Sequence, residues 1–198
     1  MRPPMAAPGR RRCLAALLSL PALAARPRPA RAHELPGNRL TLVLRNGNHV
    51  ALSFLIDYPD ALHRTLAPER PFAEFALAAS TLPAAELAAL LQRAHARLQA
   101  DTRLTLPDGS MLAITGWQWP DAARARTLLQ QRVMAAVVAP REHTHEPPVE
   151  IRADAMGRQP LRGLSVRLPA PLQRVLVVWS RPEQQWLDPD GAPLRLRF

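Results

Sequence analysis

The chain contains no lysine: all 26 of its cationic side chains are arginine. It has a single cysteine, Cys13, a single tyrosine, and an aromatic content of only 5%. One cysteine excludes an intrachain disulfide framework and a Cys-rich metal site. Familiar catalytic signatures are missing as well: there is no G-x-S-x-G elbow, no P-loop, no G-x-G-x-x-G, no H-E-x-x-H and no C-x-x-C. The longest apolar stretch near the start, Leu14 to Ala25, is interrupted by Pro21 and falls short of the ~20 residues a membrane-spanning helix needs. Missing lysine together with abundant alanine and leucine matches the codon bias of a GC-rich genome, so the preference for arginine over lysine carries no functional message. What remains, 47% hydrophobic and 21% charged, is a globular composition and neither a disordered nor a collagen-like one.

A net charge of +10 in 198 residues would point to a nucleic-acid partner were it evenly spread. Residues 1–32 hold seven arginines and no acid, which leaves 19 minus 16, or +3, on everything after them. The leading segment has the layout of an export signal: the charged Arg10-Arg11-Arg12, the apolar run from Cys13 to Leu20, and two A-x-A sites, Ala22-Leu23-Ala24 and Ala30-Arg31-Ala32. The arginine cluster is similar to a twin-arginine signal, but it lacks the bulky aromatic common there, which favours ordinary Sec export. Cys13 precedes the apolar run instead of following it, against a lipoprotein. Cleavage after Ala32 removes the only cysteine and makes His33 the first residue. The expected mature chain, residues 33–198, is then one soluble periplasmic domain with no transmembrane segment, and nucleic acid is excluded as its partner.

Periodicity along residues 33–198 predicts an α+β fold: antiparallel sheet built from hairpins, two main amphipathic helices at about 83–99 and 121–139, and a strand-rich C-terminal third. Leu40, Leu42 and Leu44 alternate, Asn46-Gly47-Asn48 tolerates positive φ, and Val50, Leu52, Phe54 and Ile56 resume the alternation, which reads as a hairpin. Pro59 to Leu66 and Phe72 to Ala79 read as short helices. Leu87, Leu90, Leu91, Ala94 and Leu98 form the stripe of the first main helix. A second hairpin runs from Leu104 through the Pro107-Asp108-Gly109-Ser110 turn into Met111–Trp119. Ala125, Leu128, Leu129, Val133, Met134 and Val137 form the stripe of the second main helix, which Pro140 stops. Strand-like segments follow at Val149–Ala153, Leu164–Leu168, Val175–Trp179, Gln184–Leu187 and Leu194–Phe198, with Trp179 and Trp186 expected to pack in or beside them.

Two sets of residues could carry a function. His33, once N-terminal, offers an α-amine and an imidazole to one Cu(II), and the loop His143-Thr144-His145-Glu146 adds two imidazoles and a carboxylate. A mature N-terminal histidine resembles that of exported copper proteins whose first residue binds the metal, and the resemblance rests on that residue alone. His49, His63 and His95 are expected at surfaces or helix boundaries without a role. The second set is Trp117 and Trp119, two apart in a strand and so on one face, where an exposed indole pair can stack on a ligand or a partner. The closing alternation Leu194-Arg195-Leu196-Arg197-Phe198 is similar to the last strand of outer-membrane barrels, but two amphipathic helices and a lone tyrosine oppose a barrel. The composite expectation is a non-catalytic periplasmic binding or accessory protein. It would meet another periplasmic or membrane protein through a sheet edge or the Trp117/Trp119 region. The alternative is handling of copper or another transition metal through His33, His143, His145 and Glu146.

Overall fold

The alternation on either side of Asn46 becomes the centre of a sheet. In the computed structural model, which describes residues 37–138 and 148–183, strands β1 (Asn38–Arg45) and β2 (His49–Ile56) pair antiparallel, with Leu40 opposite Phe54 and Leu42 opposite Leu52. Asn46 and Gly47 turn the chain at φ 51° and 77°, a backbone region these two residue types enter at least cost. Leu40, Leu42, Val50, Leu52, Phe54 and Ile56 are all buried on one face. A one-residue slip would turn the whole set outward, so burial pins the register.

The order of elements is β1, β2, α1 (Tyr58–Leu66), α2 (Phe72–Thr81), α3 (Ala84–Asp101), β3 (Arg103–Thr105), β4 (Met111–Leu112), β5 (Ile114–Gln118), α4 (Ala122–Val138), β6 (Val149–Met156), β7 (Ser165–Arg167), a 3-10 turn at Ala170–Leu172, and β8 (Val175–Ser180). All lie within one compact unit, Pro36–Phe198. The larger sheet runs β5-β6-β2-β1-β8 and the smaller β4-β3-β7. This is an α+β fold whose five-stranded sheet is mixed, because β8 joins β1 in parallel while the other ladders are antiparallel.

Local chemistry explains the helix ends. Asp57 caps α1 by accepting from the Asp60 amide at 3.2 Å, and Pro59 lies in the first turn, where no intrahelical amide is needed. In α3 the predicted stripe is the buried one, through Leu87, Leu91, Ala94 and Leu98, and the Thr102 hydroxyl closes the last turn on the Leu98 carbonyl at 2.7 Å. Asp121 caps α4 on the Arg124 amide at 2.7 Å, and Ala125, Leu128 and Leu129 are buried. Met134 departs from the predicted stripe: it is 60% exposed. None of the described helices is long and apolar enough to cross a membrane.

The segment Met111–Trp119, expected as one hairpin strand, is two strands in two sheets. Met111 and Leu112 pair with β3, and from Ile114 the chain joins β6 at the edge of the larger sheet. Leu112 is buried in its own sheet and Ile114 packs on the core, so each half gains apolar burial by parting at Ala113. Pairing of β5 with β6 is irregular between Thr115 and Gln118. Gly116 sits within that interval at φ 65°, the left-handed conformation that a bulge residue often takes.

Candidate functional site

That irregularity directs Trp117 and Trp119 onto the core. The Trp117 ring lies 5.5 Å from Phe54 of β2, and the two indoles stack on each other at 5.4 Å with planes 11° apart. Trp119 stacks in turn on His95 of α3, centroid to centroid 4.3 Å and 12° from parallel. His95 Nε2 is 2.7 Å from the hydroxyl of Tyr58, which is wholly buried at the start of α1. Five rings, from β2, α1, α3, β5 and the residue after β5, thus form one continuous stack and hydrogen-bonded chain. Both indoles are half-buried and commit ring surface to their neighbours. The Trp119 Nε1–H is buried without an acceptor among the described residues, a cost that ring packing has to offset.

Burial sets the protonation of this cluster. It pushes the Tyr58 hydroxyl well above the ordinary tyrosine value, and it lowers the His95 imidazole from 6.5 to about 4, since a desolvated site disfavours whichever form is charged. Near neutral pH both groups are therefore uncharged. The Tyr58 hydroxyl and His95 Nε2 thus share a hydrogen bond between two neutral groups. The crevice beside the stack, lined by Phe54, Leu98, Thr102, Trp117, Trp119 and Leu172, has a cavity volume of about 10 Å³. That is the scale of one water, against roughly 300–1,000 Å³ for small-molecule sites.

The opposite edge of the larger sheet has different chemistry. β8 pairs only with β1 among the described residues, so the backbone groups on its other side have no strand partner there. Its sequence, Val175-Leu176-Val177-Val178-Trp179-Ser180, has no charge and no proline, the two devices that most often blunt a free edge. Leu176 is 44% exposed, Val178 41% and Trp179 78%. Trp179 stands opposite buried Leu42 in the register, yet it projects to solvent where the sequence leads one to expect packing. Arg174 and Arg181 bracket the strand, both exposed, and Arg39 stands opposite Leu176 on β1.

His33, His143, His145 and Glu146 lie outside the described residues. Among the described residues no three His, Cys, Asp or Glu side chains come together as a metal site. His49 is half-buried on the outer sheet face and bonds Asp154 at 2.8 Å across the β2–β6 ladder. His63 donates from Nε2 to the Arg70 carbonyl at 2.7 Å and packs on Phe72 and Phe75, while its Nδ1 has no partner among the described residues. Asp57, beyond capping α1, pairs with Arg132 of α4. Sequence reasoning missed His95 as a member of the tryptophan stack, and it named a sheet edge as a surface without identifying β8 as that edge. A charge-free strand of β-branched and aromatic residues bracketed by two arginines was the signal for the second. No protein-family model, curated protein or solved structure matches the chain.

Proposed function

We propose that this is an exported, non-catalytic binding or assembly protein of the periplasm, which engages an extended segment of another periplasmic or membrane protein by strand addition at β8. One observation carries the reading: among the described residues β8 is an unblunted edge strand that exposes Leu176 and Val178 on one face and Trp179 on the other. An added strand would satisfy the outward backbone groups and cover the apolar side chains in one step, the mode by which sheet edges take peptides. The Trp117/Trp119 region is the less apt surface, since its rings are occupied with Phe54, His95 and each other. Export is supported by the arrangement of residues 1–32.

The test is a photo-crosslinking amino acid placed at Val178 in the full-length protein and activated in intact cells. The reading requires one dominant envelope-protein adduct at this position and none with the same group at Arg158, which is exposed and outside the sheet. Equal yields at both positions would refute it.

A further inference from the structure

We infer that the segment received at β8 is an uncharged, β-branched strand flanked at both ends by acidic residues; this rests on the strand-addition reading and adds the chemistry of the partner. Arg174 and Arg181 stand just outside the two ends of β8, separated by the six uncharged residues of the strand. Arg39 stands opposite Leu176 one strand further in. None of the three makes an ion pair among the described residues, while the outer-face arginine on β6, Arg152, is already held by Glu150 at 2.7 Å. The edge therefore offers an apolar centre between two guanidiniums. The complementary strand carries aliphatic side chains where β8 has Leu176 and Val178, and carboxylates that reach the arginines at its ends. Guanidinium and carboxylate pair in a planar, two-bonded geometry that fixes register as well as sign.

The same charges argue against a second copy of this chain. Two β8 strands paired about a two-fold axis centred on Val177 or Val178 bring Arg174 of each copy to within one residue of Arg181 of the other, so both ends of such a pairing carry like charges. An acid-flanked partner turns both ends into attractions.

The experiment uses the full mature chain and four synthetic peptides, with tryptophan fluorescence and calorimetry as readouts. Three peptides share a Val-Thr-Val-Thr-Val-Thr centre, matching the six residues of β8, and carry Asp, Ser or Lys at both ends; the fourth is the Asp peptide with proline at the third residue of the centre. Affinity should fall in the order Asp, Ser, Lys, with about a tenfold difference between the first and last from two solvent-exposed pairs. Raised salt should shrink that difference. The double variant Arg174→Glu and Arg181→Glu, at exposed positions, should keep the thermal midpoint and invert the order. If the three flanks bind equally and the proline peptide does not, strand addition stands and the acidic partner is refuted. If no peptide binds, or the proline peptide binds as well as its parent, strand addition fails and the inference goes with it. Binding that emerges only after Leu194→Asp and Leu196→Asp would assign the edge to this chain's own last residues. A stable dimer with β8 amides protected from hydrogen exchange would assign it to a second copy. Either of these last results overturns the proposal.

Discussion

His95 makes the stability of the fold depend on pH in a window that can be stated in advance. Folding lowers its imidazole from 6.5 to about 4, because the ring is desolvated between Trp119 and Tyr58. In the unfolded chain the ring titrates near about 6.5. Between these two values the unfolded state binds more protons than the native state, so stability is lost as pH falls through the window and levels off below it. The difference of about 2.5 (6.5 minus 4), at about 1.36 kcal/mol for each, sets a ceiling of ~3.4 kcal/mol. The ring is only half-buried, and solvent screening reduces this to about 1–2 kcal/mol. The perturbation is His95→Gln, whose side-chain carbonyl can still accept from Tyr58 but cannot gain a charge. Urea unfolding of both proteins, followed by tryptophan fluorescence at intervals between pH ~7.5 and ~4, gives the stability difference at each pH. Other groups that change protonation over this range act alike in both chains and cancel in that difference. Wild type should lose about 1–2 kcal/mol relative to the variant on acidification. A difference constant to within about 0.5 kcal/mol would refute the desolvated, neutral His95.

Four further outcomes follow from the packing and the leader. Leu52→Ala, in the middle of the buried face of β2, should cost about 2–5 kcal/mol in urea unfolding through lost burial and a residual cavity. Gly47 turns at φ 77°, and a Cβ there would meet nothing nearer than Pro160 at 3.9 Å. Gly47→Val should therefore leave packing intact and still cost about 1–2 kcal/mol in urea unfolding, all of it backbone strain. Asp57→Ala removes both the cap of α1 and the partner of Arg132, and should lower stability by about 2 kcal/mol in thermal unfolding. The proposed export predicts that N-terminal sequencing of the protein recovered from the periplasm begins at His33; a start at Ala25 would show cleavage at the earlier small-residue site.

Most elements were legible because their signals are local. The first hairpin needs only period-two alternation and a turn that accepts positive φ, and both are contiguous in residues 38–56. The stripe through Leu87, Leu91, Ala94 and Leu98 needs only the helical period, and those four are the buried residues of α3. The break at Ala113 was not legible, since an apolar run reads the same whether it serves one sheet or two. What divides it is the competition of β3 and β6 for its halves, and those strands lie on opposite sides of it in sequence. Met134 was misplaced for a related reason: periodicity projects a stripe along α4 without saying which of its members other elements cover, and Val133 packs against the core while Met134 is exposed.

Topology sets the surroundings of the tryptophans. Trp117 and Trp119 share a strand-like spacing that allows either a common open face or a place in the core, and Trp179 sits in an apolar run that suggests packing in or beside the sheet. β5 lies beside β6 and is irregular around Gly116, which lays Trp117 against Phe54 and Trp119 against His95. β8 returns along β1 in parallel, far away in the chain, and ends at the rim with Trp179 in solvent. An edge is a property of the ladder order and not of any one strand, so a charge-free strand such as β8 becomes a surface only once its neighbours are known. The low aromatic content sharpens the consequence. With Phe54, Tyr58, Trp117 and Trp119 closed into one cluster around His95, the exposed indole among the described residues is the one on the unblunted edge.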